Sequence, residues 1–269
     1  MKEDKQRNMY LEGKVAFITG GARGMGRAIA LKYADEGCDS VIADVLDKDG
    51  EKTVMDIRAR GRDAMYLHCD VTSSEQVKKT VGKAIERFQK IDILTNCAGI
   101  GTNTTPFLDT TEEEWDRVMD VNCKGTFLTI LNIAPYMKKQ HFGKIINIVS
   151  VAAFETGVAN VHYHASKAAQ ASVTRSAAAA FAADGINVNA IHPGMVLTDM
   201  SAVFSGPGIT DVIAHQTSMA KNMVPLERMG TTEDVTRAAL FLASEQSDYI
   251  TGDSICVSGG AGLLMKGSI

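Results

Sequence analysis

Paired cysteines are missing from this chain. Five cysteines are present, Cys38, Cys69, Cys97, Cys123 and Cys256, an odd number, widely spaced and without a C-x-x-C, which speaks against a disulfide framework or a zinc ribbon. They read as small buried hydrophobes of a reducing compartment. The six histidines form no H-E-x-x-H or comparable ligand set, so no metal site is expected. Basic residues are not in excess: 28 Lys and Arg against 32 Asp and Glu leave a formal net charge of −4, with no footprint for nucleic acid. No apolar run is long enough to span a bilayer. The opening stretch MKEDKQRNMYLEGK lacks an apolar h-region, so a secretory leader is not expected and a cytoplasmic, membrane-free protein is. Proline is scarce, and there is no Pro/Ser-rich linker, repeat or low-complexity run beyond the helix-forming AAAAFAA.

What is present is an alternation. Apolar, β-prone runs stand at 14–19, 40–44, 63–71, 91–96, 144–150 and 186–194. Between them lie segments of helical period: one ending at Gly37, then 47–60, 73–89, 112–139 and 160–183. Strand and helix taking turns is the βαβ pattern of a parallel sheet covered on both faces. The expectation is one α/β domain, a doubly wound sheet preceded by a polar tail over residues 1–12. Residues 194–226, with Met195, Met200, Phe204, Met219 and Met223, interrupt the alternation and are expected to form a substrate-binding loop or lid.

Between the first strand and first helix sit Gly20, Gly21, Gly24 and Gly26. Such a loop lets the backbone approach a pyrophosphate, with the helix N-terminus offering N–H donors. The spacing departs from G-x-G-x-x-G, since Ile29 takes the last position. About twenty residues on, Asp44 ends the second strand, where a carboxylate can accept both ribose hydroxyls of an adenosine and would repel a 2′-phosphate. Val45 and Leu46 offer no cation for such a phosphate. NAD is therefore expected over NADP, with Arg23 arguing the other way.

The second constellation lies in IVSVAAFETGVANVHYHASK, residues 148–167. Ser150 ends an apolar run, and Tyr163 and Lys167 share a helix face if residues from about Asn160 are helical. A free tyrosine has a pKa near 10 and is a weak base at neutral pH. A neighbouring ammonium favours the phenolate, so Lys167 is expected to lower the pKa of Tyr163, the general acid/base. Ser150 would steady the substrate oxygen. His162 and His164 read as packing or surface residues. Tyr10 and Lys14 have the same spacing, but Gly13 between them opposes a helix there.

With these segments in their order, the chain resembles the short-chain dehydrogenase/reductase family from Lys14 to about Gly262. The T-G-x-x-x-G-x-G loop stands as Thr19 to Gly26, and Asn96-Cys97-Ala98-Gly99 matches an N-N-A-G segment with Cys97 in place of the second asparagine. Tyr163 to Lys167 matches Y-x-x-x-K, and Ser258-Gly259-Gly260 stands where D-G-G is common. The resemblance implies a Rossmann sheet of about seven strands. It implies a catalytic set of Asn122, Ser150, Tyr163 and Lys167, with Lys167 also holding the nicotinamide ribose and Asn122 positioning a water. Asparagine suits a helix poorly, so Asn122 also reads as a buried polar group. Implied cofactor contacts are Gly20, Arg23, Gly24, Met25 and Gly26 in the loop, Asp44, Asp70 and Val71 toward the adenosine, and Asn96, Ala98 and Gly99 after the fourth strand. Pro193, Gly194, Val196 and Thr198 complete them around the nicotinamide.

The expected reaction is hydride transfer between NAD(H) and a secondary alcohol or ketone. The substrate walls would be Ile100–Phe107, Val151–Asn160 and residues 194–226, whose methionines suit an apolar, cyclic or steroid-like alcohol; a sugar or polyol is the other option. The alternatives are an NADPH-dependent 3-oxoacyl or carbonyl reductase, and a dinucleotide-binding sensor that has lost catalysis. The resemblance also implies a homotetramer built on the helices at 112–139 and 160–183.

Overall fold

Strand β1 (Val15–Thr19) shows how the layers arise. Ala16 and Ile18 point into one hydrophobic cluster and Phe17 into another, all three fully buried. A strand covered on both faces needs an unbroken apolar run, which is what VAFI supplies. The computed structural model describes residues 9–101, 105–154, 160–198, 200 and 211–261.

From β1 the chain runs through α1 (Gly24–Asp35), β2 (Asp39–Asp44), α2 (Asp47–Arg58), β3 (Ala64–His68), α3 (Ser74–Phe88) and β4 (Ile93–Asn96). It continues as α4 (Glu112–Met119), α5 (Gly125–Gln140), β5 (Gly143–Ile148), α6 (Val161–Phe181), β6 (Ile186–Pro193), α7 (Val212–Met223), α8 (Thr232–Ala243) and β7 (Ser254–Val257). The strands form a seven-stranded sheet in the order β3-β2-β1-β4-β5-β6-β7, parallel throughout. On one face Ile29 and Tyr33 of α1, Ile57 of α2 and Val235 and Leu242 of α8 pack on Ile18, Ile42 and Ile146. On the other, Val77 of α3, Ile133 of α5 and Ala178 of α6 pack on Phe17, Val41 and Ile145. This is the doubly wound sheet that the alternation predicts. Strand order reverses between β1 and β4, and the crevice beyond their carboxyl ends is where such sheets bind ligands.

Two stretches differ from the sequence reading. The helical region over 112–139 is two helices joined by a π-turn at Asp120–Lys124. One added residue per turn leaves the apolar period almost unchanged, so periodicity does not reveal it. In 194–226, α7 replaces part of the expected irregular segment. Asp211 caps it, its Oδ1 accepting from Ala214 N at 2.9 Å. Phe204 and the rest of 201–210 lie outside the described residues.

Candidate active site

The turn from β1 to α1 is shaped by contact. Gly20 has φ +66°, and a Cβ there would stand 2.7 Å from Ala98 N; a Cβ on Gly26 would collide with the Gly20 carbonyl oxygen. Only bare backbone fits, leaving an open-sided cradle ahead of α1. Thr19 closes it from below, its Oγ1 accepting from Cys97 N and Ala98 N, both at 3.2 Å. Gly26→Ala should therefore abolish dinucleotide binding and lower the melting temperature by several degrees, since the backbone itself must move; an isothermal titration with NADH and a thermal melt check both.

Above the cradle lies a cavity of about 380 Å³ whose wall includes Gly20, Arg23, Gly24, Met25, Gly26, Asp44, Asp70, Val71, Ala98, Gly99 and Thr198. Asp44 is 9% exposed. Its carboxylate accepts from Ala22 N at 3.0 Å and Leu46 N at 3.1 Å, fixing its position at the rim. Asp70 is held by Thr72, whose N and Oγ1 both donate to its Oδ1. A glycine cradle beside a fixed carboxylate fits a dinucleotide.

The structure adds Ala43, Val45, Leu46, Cys69, Cys97 and Val121 to the wall. Most flank residues already picked out and differ from them in lacking any chemical mark. Burial pushes the Cys97 thiol up to about 12, the nearby Lys167 acting in the opposite sense, so it stays protonated at neutral pH.

Asn96 is not in that wall. Its side chain points into the interior, Nδ2 donating to Asn147 Oδ1 at 2.9 Å and Oδ1 accepting from Thr129 Oγ1 at 2.6 Å. It ties β4 to β5 and α5, which leaves the backbone of Asn96 as the part that a cofactor can meet. Pro193, Gly194 and Val196 also lie outside the wall. Gly194 N donates to Val257 O at 3.1 Å, and Val196 is bridged to Gly230.

The catalytic candidates converge from three elements. Ser150, just past β5, starts a short 3₁₀ turn, and its Oγ accepts from Ala152 N at 3.1 Å. Its carbonyl receives His192 Nδ1 at 2.7 Å. A carbonyl only accepts, so Nδ1 carries the proton; burial lowers the imidazole pKa, which keeps it neutral. Tyr163 and Lys167 lie one turn apart on α6, as their spacing predicts. The Ser150 hydroxyl lies near enough to the Tyr163 phenol to favour its ionised form. Lys167 is 5% exposed; its Nζ donates to Ile148 O at 3.1 Å and to Gln170 Oε1 at 2.9 Å.

The electrostatics differ from expectation. Burial pushes the Tyr163 phenol up, with the nearby Ser150 hydroxyl acting in the opposite sense. Burial also lowers Lys167 to about 8, partly offset by Cys97 and Cys123. The ammonium is aimed at Ile148 and Gln170 and stands 5.9 Å from the centre of the Tyr163 ring. In this state Lys167 does not hold the phenol low; desolvation outweighs it.

Asn122 is fully buried in the π-turn. Its Oδ1 accepts from Ile100 N at 2.8 Å, and its Nδ2 donates to Ile100 O and Ser166 Oγ, both at 3.0 Å. The side chain clamps the loop after β4 against α6, which leaves it no donor for a water.

Ser150, Tyr163 and Lys167 thus meet beside a crevice that fits a dinucleotide, and the chain as a whole is similar to proteins of known identity. A family profile for enoyl-(acyl carrier protein) reductases matches residues 20–262. The 3-oxoacyl-[acyl-carrier-protein] reductase of Staphylococcus epidermidis is 36% identical over 248 residues, 92% of this chain and 98% of that one. The chain belongs to the short-chain dehydrogenase/reductase family. Among solved structures, levodione reductase superposes with a TM-score of 0.89 at 27% identity, covering 93% of this chain and 98% of that one. NAD⁺-bound xylitol dehydrogenase does so with 0.86 at 30%, covering 93% and 99%.

In this short-chain dehydrogenase/reductase the approach to the site is tied together. Asn160, in left-handed conformation at φ 58°, precedes α6. Its N donates to Thr105 O at 2.8 Å and its Oδ1 accepts from Thr105 N at 2.9 Å. His164 Nδ1 lies 3.0 Å from the Ala152 carbonyl, and the Phe154 ring stacks on His192 at 4.4 Å. Tyr10, the competing tyrosine, is exposed in a turn before β1. Residues 102–104 and 155–159 of the expected substrate walls lie outside the described residues. Among those described, no helix is long and apolar enough to cross a membrane, and no cluster of three His, Cys, Asp or Glu could hold a metal.

Proposed function

We propose that this protein is an NAD(H)-dependent oxidoreductase that interconverts a secondary alcohol and a ketone. The observation that carries the reading is the buried Lys167 one helical turn from Tyr163, with the Ser150 hydroxyl near the phenol, at the end of the sheet where the glycine cradle lies. Bound nicotinamide supplies the hydride acceptor for oxidation and the donor for reduction. Tyr163 takes the hydroxyl proton from the alcohol, or returns it to the ketone, and Ser150 holds the reacting oxygen. Lys167 carries the positive charge that the phenolate requires. The oxygen-holding role of Ser150 predicts that Ser150→Ala loses on the order of 10²–10³ in kcat while its NADH affinity stays unchanged.

NAD is supported over NADP by Asp44, held at the cavity rim with its charge facing where a 2′-phosphate would lie. The NAD⁺-bound state of the related xylitol dehydrogenase agrees. A second reading, an NADPH-dependent 3-oxoacyl reductase, draws on Arg23 in the cavity wall and on the 36% identical staphylococcal relative. For the substrate we favour an apolar, cyclic or steroid-like alcohol, a choice supported by Met200 and Ile100 in the wall and by the exposed Phe154 and Leu197 nearby in sequence. A homotetramer is the assembly we favour, supported by Phe127 and Leu131, which α5 leaves exposed. A panel of cyclic alcohols, polyols and 3-oxoacyl thioesters, each run with NAD(H) and NADP(H) and followed at 340 nm, separates these readings. Turnover of the thioester alone, with NADPH, would favour the second; no turnover of any substrate would favour a non-catalytic dinucleotide sensor.

A further inference from the structure

A fully buried glutamine stands beside the lysine, and the proposed chemistry does not use it. Gln170 lies on α6 within a turn of Lys167 and is 0% exposed. An ammonium only donates, so the atom facing Nζ is the acceptor Oε1, at 2.9 Å. That fixes the amide the other way round: Nε2 donates to Thr126 Oγ1 at 2.8 Å, and Thr126 Oγ1 in turn donates to the Asn122 carbonyl at 3.1 Å. The result is a one-directional chain from the lysine to the π-turn, with every member buried. Lys167 Nζ stands at the back of the cavity, since a Cβ added to Gly99 in its wall would be 3.7 Å from it.

We propose that Gln170 is a positioning residue for Lys167: its oxygen keeps the ammonium charged and fixed at the back of the cavity, and its amide N–H group anchors that position to the π-turn through Thr126. The catalytic part of this proposal rests on Tyr163 and Lys167 being the proton-handling pair; the Gln170–Lys167 tie itself does not. A charged amine buried this deeply needs acceptors, and among the described residues the charge-bearing or titratable groups facing it are Cys97 after β4, Cys123 in the π-turn, Tyr163 on its own helix and His192 on β6. Neither thiol bears charge at neutral pH, burial pushing both up. The acceptors named for Nζ are the Ile148 carbonyl and Gln170, and only the second is a side chain. Replacing it changes the lysine without altering the sheet.

The test is a ¹⁵N NMR titration of Lys167 Nζ in the full chain, for the wild type, Gln170→Leu and Gln170→Glu, alongside kcat for alcohol oxidation. Loss of one hydrogen bond to a charged group should move the Gln170→Leu midpoint down by about one pH unit or more, and the added carboxylate should move Gln170→Glu up. At pH 8, Gln170→Leu should lose roughly tenfold in kcat with the KM for the alcohol unchanged, and Gln170→Glu should recover part of it. Midpoints equal to wild type in both variants overturn the proposal. Should Gln170→Leu fail to fold, the absence of an upward shift in Gln170→Glu overturns it alone. Shifted midpoints in a protein whose Tyr163→Phe variant still turns over leave the tie standing and remove the catalytic reading instead.

Discussion

Tyr163→Phe is expected to bind NADH as tightly as the wild type and to lose roughly 10³-fold or more in kcat, the scale of a lost general acid/base. The phenol oxygen is the only part of the ring removed, and neither the cradle nor Asp44 depends on it. Fluorescence titration with NADH and steady-state rates on an oxidisable alcohol measure the two halves separately. The pH dependence has a definite sign. Burial raises the phenol, so alcohol oxidation, which needs the phenolate, should climb as pH rises through the Tyr163 pKa. Ketone reduction needs the protonated phenol and should fall over the same range. Retained turnover in Tyr163→Phe would remove this residue from the mechanism.

The second large effect concerns the coenzyme. Replacing Asp44 by Ala and Val45 by Arg should shift the ratio of kcat/KM for NAD over NADP by about 10²–10³ toward NADP. Hydrogen bonds to a charged group contribute about 1.5–3 kcal/mol each, and the Asp44 carboxylate offers two such bonds to a ribose. Val45 is 51% exposed and already part of the cavity wall, so an arginine there can reach a 2′-phosphate without displacing core. Asp44→Asn serves as the control, since its oxygen still accepts one of the backbone N–H groups that Asp44 now holds. An unaltered ratio in the double variant would defeat the assignment of Asp44.

The architecture was legible because the signals for it are local. An unbroken apolar run such as VAFI marks a strand buried on both faces, and glycines at Gly20 and Gly26 mark backbone contact at the first turn. The Tyr163–Lys167 pair was legible from spacing, once the intact helix around it excluded Tyr10 and Lys14. Other features depend on partners far away in the chain. Asn96 looked like a cofactor contact because it begins a recognisable segment, yet Thr129 and Asn147 claim its side chain. Asn122 was visible as a residue out of place in a helix, while the π-turn that turns it inward leaves no trace in the period. The burial that raises the Tyr163 phenol could not be read for a related reason: spacing shows that a lysine is near, and burial is a property of the folded whole. Helix α7 was overlooked even though Asp211 stands as a cap before it.

The paired bonds between Thr105 and Asn160 bear on how specificity in this protein can be re-engineered. They join the segment that leaves β4 to the residue from which the tyrosine-bearing helix starts. A graft that exchanges only one of these segments with a relative would strand one half of the pair and let the phenol drift. Transplanting both as one cassette, with Thr105 and Asn160 kept in register, preserves the aim of Tyr163 while everything around the substrate changes. Specificity and catalytic alignment are thus inherited through the same splice point.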